Sequence, residues 1–253
     1  MSRVRFPDSA YSIFSMQSLK ELTEYINPLY EDNHLIVAVK PPNIPTQGDK
    51  SGDISFFEYV KDYIKLKYNK SGNIFLGLVH RLDRPVAGIM VFAKTSKAAG
   101  RLSEAIRDRK FEKIYYAVVN GILSEKNGTL ENYIVKKNNK LGNIAQIVFE
   151  NTKNSKFAKL KYNVFKEDII KNLSLVKVEL ETGRFHQIRA QFSNIGHTIY
   201  GDRKYGNYIK YDRNDIPLAL FAKSLKFPHP VKDEIIFVEA DLPNYNPWNL
   251  FFL

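Results

Sequence analysis

His80-Arg81-Leu82-Asp83-Arg84 places one carboxylate between two guanidiniums, and the apolar Val86-Ala87 follows almost at once. Arginine is charged at any physiological pH, so Asp83 is pushed toward its anionic form and can be held by forked hydrogen bonds. On local charge alone two readings stand: a held, ionised nucleophile, or a solvated salt bridge that contributes little. A second dense cluster is Glu181-Thr182-Gly183-Arg184-Phe185-His186-Gln187-Ile188-Arg189. It follows a strand-like run and opens a helix whose core face is Ile188, Phe192 and Ile195, which puts His186, Arg189 and Ser193 on another face. Gly183 supplies backbone freedom for the strand-to-helix turn. The N–H groups of the helix start, beside basic side chains, suit an anion, either a phosphate or Asp83. The alternative is that His186 and Gln187 cap the turn while Arg189 neutralises a nearby carboxylate. Gly196 to Gly206 gathers glycines, aromatics and cations in a short loop, suited either to hold an RNA backbone with stacked bases or to close the core as a turn.

Regular elements must carry these clusters. Leu19, Leu22 and Ile26 share one face of a short helix from Ser15 to Ile26, which stops at Asn27-Pro28. Leu35 to Lys40 reads as a strand ended by Pro41-Pro42, because proline donates nothing to a ladder. Ser55 and Glu58 have capping-box spacing ahead of Phe57, Val60 and Ile64, which predicts a helix through about residue 68 that delivers the chain to the Asp83 turn. Ile89 to Ala93 is a buried-strand run, and Ser96 stands where it can cap a helix carrying Leu102 and Ile106. Phe111 to Gly121 is apolar on both faces, as a central strand is. Residues 123–156 read as a hairpin excursion with the polar tip Lys136 to Asn143, whose lysines suit either a phosphate backbone or water.

Ala158, Leu160, Tyr162 and Val164, and then Val176, Val178 and Leu180, alternate with polar residues as strands with one wet face do. Later strands fit Leu218 to Phe227 and Glu234 to Ala240. Strands outnumber helices, and many connections are too short for parallel crossovers. The class is therefore α+β, a mainly antiparallel mixed sheet with flanking helices. With no repeat and no low-complexity linker, the expected organisation is a short N-terminal extension over 1–28 and one domain over 29–253.

Composition bounds the chemistry. The 253 residues carry 38 Lys and Arg against 27 Asp and Glu, a net charge of +11, which favours polyanions and nucleic acid first. There is no cysteine, so thiolate nucleophiles, disulfides, iron-sulfur clusters and cysteine-based zinc sites are excluded. His34, His80, His186, His197 and His229 show no i, i+4 pairing, so no structural metal is expected. No apolar run reaches the length of a membrane span and the start lacks a signal-peptide segment, which predicts a cytoplasmic protein.

Taken together, the motifs resemble those of the RluA-type pseudouridine synthases. His80-Arg81-Leu82-Asp83-Arg84 with Gly88 is similar to that family's catalytic-aspartate motif, and Lys113-Ile114-Tyr115-Tyr116-Ala117 to its tyrosine strand. Thr182 to Arg189 is similar to its arginine motif, and the Gly196 to Gly206 loop is a fourth match. Order and spacing make the set specific where one motif alone is not. Ala87, Phe185 and Thr198 depart from the family's usual Ser, Thr or Ser, and Pro. Residues 1–28 are too short for the S4-like RNA-binding domain that many relatives carry.

The resemblance implies an RNA uridine isomerase that needs no cofactor, with Asp83 as nucleophile, Tyr115 against the target uracil and Arg189 paired with Asp83. Tyr115, not Tyr116, fits the Lys-x-Tyr-x-Ala spacing. His80, Arg81, Arg84, Arg184, His186 and Gln187 become expected contacts to RNA, ribosomal or transfer, made by a monomer. Three reactions stay open to Asp83: addition to uracil C6, attack at ribose C1′, or removal of a ribose proton to give a glycal. A non-catalytic RNA-binding protein and a hydrolase releasing uracil are the rival readings.

Overall fold

The structure, a computed structural model, describes residues 19–140, 142–206 and 217–252. These form two compact units, the first reaching to Phe111 and including Lys223–Pro243, the second made of Glu112–Ala222 with Asn244–Leu253. Four α-helices and eleven strands are found among the described residues, and the registered strand pairings are antiparallel, an α+β architecture. No helix among them is long and apolar enough to cross a membrane.

In the first unit the strand order is β1 (Pro28–Glu31), β2 (Leu35–Lys40), β4 (Ala87–Ala93) and the part of β10 (Leu220–Pro228) from Lys223 on, with β3 (Gly77–Leu78) on β4 and β11 (Ile235–Glu239) on β10. Every residue of β2 and β4 is buried, which is why both read as unbroken apolar runs and not as alternation. Their register sets Leu35 against Ala93 and Lys40 against Gly88, so the end of β2 lies beside the start of β4, where the Asp83 turn arrives.

Three helices belong to this unit. In α1 (Leu19–Ile26) Leu22, Tyr25 and Ile26 are buried, whereas Leu19, expected on the same face, is exposed; Tyr25 packs on Tyr59 at 4.8 Å between centroids. The predicted start at Ser15 lies outside the described residues, and the helix ends at Asn27, whose φ is 43°. Helix α2 (Phe56–Lys67) has the predicted capping box, with Ser55 Oγ accepting the Glu58 N–H at 3.3 Å and Glu58 Oε2 accepting the Ser55 N–H at 2.8 Å. Phe56 heads its core face and Phe57 is half-buried. Helix α3 (Ser96–Arg107) is capped by Thr95, not Ser96: Thr95 keeps extended backbone while its Oγ1 accepts the Ala98 N–H at 3.2 Å.

The second unit has the strand order β5 (Glu112–Asn120), β9 (Leu173–Leu180), β8 (Lys156–Asp168), β6 (Asn127–Asn139) and β7 (Gly142–Val148). The expected hairpin is β6–β7, and Gly128 in β6 is required by packing, since a Cβ there would stand 2.8 Å from the Tyr162 ring across the ladder. Helix α4 (Gln187–Asn194) packs on β6 and β7, burying Ile188, Ala190 and Phe192. Ile195, expected on this core face, is its C-cap and is exposed, because the helix has ended before its side chain can turn inward.

Candidate active site

Asp83 stands half-buried in the turn between β3 and β4, and the backbone on each side of it is tied to a buried group. Upstream, Thr46 Oγ1 donates to the Leu82 carbonyl at 2.8 Å and accepts the Leu82 N–H at 3.3 Å. Downstream, Lys40 Nζ donates to the Arg84 carbonyl at 3.0 Å. The Asp83 carbonyl itself accepts the Val86 N–H at 3.0 Å, which closes the turn. His80 Nε2 accepts the Val91 N–H at 3.0 Å, so this ring nitrogen carries no proton and the residue serves to fix the approach to β4.

Lys40 is fully buried at the end of β2. Its ammonium has three N–H donors and meets three carbonyls, those of Pro41 and Ile44 at 2.8 Å each and that of Arg84. Burial pushes its pKa from 10.5 down to about 7, a fall that the Asp83 charge opposes and the Arg84 charge increases. The opposing effect places the Lys40 ammonium and the Asp83 carboxylate within reach of each other's charge. Arg84 turns elsewhere: its guanidinium donates to the Asn43 carbonyl at 3.1 Å and Ser51 Oγ at 2.9 Å and pairs with Asp53 and, at 3.5 Å, with Asp49. It braces the loop between β2 and α2, while Arg81 is exposed.

In the second unit the turn into α4 is held by Gln187. Its Oε1 accepts Thr182 Oγ1–H at 2.8 Å and the Arg184 N–H at 3.0 Å, and its Nε2 donates to the Lys159 carbonyl at 3.1 Å. His186, not Gly183, takes the left-handed conformation, with φ 50°. Arg184 Nε donates to the Phe157 carbonyl at 2.8 Å. Arg189 is buried and forked onto Asp202, with Nε to Oδ2 at 2.7 Å and Nη2 to Oδ1 at 2.8 Å. Asp202 Oδ1 also accepts the N–H groups of Lys204 at 2.9 Å and Tyr205 at 3.2 Å.

Tyr205 joins these parts. Its hydroxyl accepts the Ala145 N–H of β7 at 2.6 Å and meets His186 Nδ1 at 2.9 Å, and its ring lies 5.2 Å from the Arg189 guanidinium carbon. Burial, with the charges of Arg189, Lys204 and Lys136, pushes the His186 pKa from 6.5 to about 2. The ring is neutral and stacks on Phe185 at 3.8 Å between centroids. Tyr115 lies buried in β5 opposite Val178, while Tyr116 points to the other face and meets Phe165 edge-on at 5.7 Å.

Residues 34–194, which contain Asp83, Tyr115 and Arg189, match the family model described as RNA pseudouridylate synthase. The chain belongs to that family. An uncharacterized RNA pseudouridine synthase of Aquifex aeolicus is 32% identical over 233 residues, 86% of this chain and 70% of the relative. Ribosomal large subunit pseudouridine synthase C of Rickettsia bellii is 33% identical over 231 residues, 89% of this chain and 71% of the relative. The fold is shared with human RNA pseudouridylate synthase domain containing 4, at TM-score 0.73 and 24% identity over 89% of this chain and 91% of that one. The enzyme is thus an RNA pseudouridine synthase of the RluA type, an isomerase.

Within the synthase the expected residues fall into two groups. His80, Arg81, Asp83 and Arg84 share the β3–β4 turn, and Tyr115, Arg184, His186, Gln187 and Arg189 belong to the second unit. Sequence reasoning missed Lys40, Thr46 and Asp202. Lys40 had a signal, as a lone cation ending the apolar run Leu35 to Val39, and so had Asp202, as the one acid in the Gly196 to Gly206 loop. Thr46 had none.

Proposed function

We propose that the synthase isomerises uridines in structured RNA, with Asp83 as the reacting carboxylate on a uridine flipped out of its stack. The bond from ribose C1′ to uracil N1 breaks, C1′ joins C5, the C5 proton leaves and N1 gains one. No redox step or external energy is needed. Unstacking costs a few kcal/mol and is cheapest in loops, which favours structured RNA loops as targets. Tyr115 takes the face of the base and serves as the general base for the C5 proton, and Arg189 pairs with Asp83. His80, Arg81, Arg84, Arg184, His186 and Gln187 assist in holding the RNA. Residues 29–253 act as the catalytic domain, as a monomer in the cytoplasm. The name of the Rickettsia bellii relative favours ribosomal over transfer RNA as substrate.

The observation that carries this reading is the double tie on the Asp83 turn. Thr46 on Leu82 and the buried Lys40 on Arg84 fix the backbone to either side of a half-buried carboxylate and set a positive charge near it. A merely solvated salt bridge requires no such support. The test is Asp83→Asn with RNA from cells lacking the gene. Loss of pseudouridine formation with RNA binding retained supports the reading, and unchanged activity overturns it. Release of free uracil by the wild-type protein, with no isomerised nucleotide left in the RNA, decides for a hydrolase.

A further inference from the structure

Lys113 is a cation that the reaction above does not use. It lies half-buried in β5, on the same strand face as Tyr115 and two residues before it, about 7 Å away along the strand. Its ammonium points to the turn that leads into α4: a Cβ at Gly183 would stand 3.5 Å from Lys113 Nζ. Burial lowers its pKa, and no carboxylate opposes that effect. Among the described residues it has no hydrogen-bond or ion-pair partner, unlike Lys159 and Lys161, which take up Glu181 at 3.7 and 2.9 Å. A lysine drawn partly out of water without an acceptor is disfavoured unless a ligand supplies the anion.

We propose that Lys113 Nζ binds a backbone phosphate of the target nucleotide, with Gly183 leaving the room for that phosphate to approach. The placement follows from the strand. A uridine whose base lies on Tyr115 carries its phosphate one sugar away, along the same face, which is the separation of alternate residues in β5. The turn beside it offers Arg184 as a second cation, and a side chain at 183 would narrow the gap between ammonium and backbone. The phosphate site rests on the proposed role of Tyr115.

The test compares Lys113→Met and Lys113→Arg with wild type. RNA from cells lacking the gene is the substrate for turnover, and a uridine-rich RNA hairpin is the probe for binding. Lys113→Met is expected to raise the half-saturating RNA concentration about tenfold while the rate at saturation stays within about twofold, and Lys113→Arg to restore most of the loss. The logarithmic salt slope of hairpin binding should fall by about 0.7 in Lys113→Met, the release expected for one phosphate on single-stranded RNA. An unchanged slope with unchanged half-saturation overturns the proposal. So does a fall in the saturated rate alone, which would put Lys113 in the chemistry. Failure of the Asp83 reading shows separately, since the salt slope is measured without turnover.

Discussion

Arg189 and Asp202 form a buried, two-pronged ion pair whose carboxylate also accepts two backbone N–H groups. The fork fixes the plane of the guanidinium from the side of the Gly196 to Gly206 loop, so that loop acts as a support for Arg189. Removing one member of a buried pair costs up to about 3–5 kcal/mol, the full amount applying where the other charge has no second partner. Asp202→Ala should therefore lower stability by about 1–3 kcal/mol in urea titrations, since the two backbone N–H groups and one side of the fork lose their acceptor. A loss under about 1 kcal/mol would mean that water or another group replaces the carboxylate.

Thr46 clamps Leu82 through both backbone groups. Thr46→Val keeps the shape and removes both bonds, leaving a buried carbonyl and N–H unpaired at about 1–3 kcal/mol. Pseudouridine formation should fall more than RNA binding does, because the variant loosens the Asp83 turn. Equal falls in rate and binding would argue for general unfolding instead, and a circular-dichroism melt separates the two.

Lys40 gives a pH signature. The unfolded chain holds this proton up to about 10.5 and the folded one only to about 7, so between those values unfolding takes up a proton and stability rises with pH. Below 7 both states are protonated and the cost of burying the ammonium is fully present. Relative to Lys40→Met, wild type should gain stability from about pH 7 to about pH 9.5 in denaturant titrations, and a flat difference would contradict the assignment.

His186 works in the acid range. The unfolded imidazole takes a proton below 6.5 and the folded one only near 2, so this residue withdraws stability as pH falls from 6.5 toward 2. His186→Gln should lose that part of the acid sensitivity in melting curves. Nitrogen-15 spectra of the wild-type ring should show a neutral imidazole through about pH 5. Tyr205→Phe removes the hydroxyl that meets His186 Nδ1, and the tautomer populations in those spectra should change.

Much of the molecule was legible in the sequence because its elements obey local rules. The capping box at Ser55 and Glu58, the unbroken apolar runs of β2 and β4, and the alternation in β8 and β9 each depend on neighbours a few residues apart. The errors were also local. Thr95 and Ser96 are both good caps, and only the backbone angles choose between adjacent hydroxyls. Gly183 offers the turn into α4 its freest backbone, yet the left-handed residue is His186, whose stacking on Phe185 and bond to Tyr205 offset the strain.

The sequence by itself determined the family, through motifs whose residue types and order survive without coordinates, and with it the kind of reaction. It also determined the basic charge that suits RNA and the candidates Asp83, Tyr115 and Arg189. Only the tertiary structure decided what holds them. Lys40 and Thr46 reach the Asp83 turn from 44 and 36 residues away, and Tyr205 ties His186 to a strand 60 residues upstream. Such partners are selected by donor and acceptor geometry after the strands have paired. A buried ammonium or carboxylate takes whichever oxygen or N–H the fold brings within reach, and spacing along the chain does not encode it.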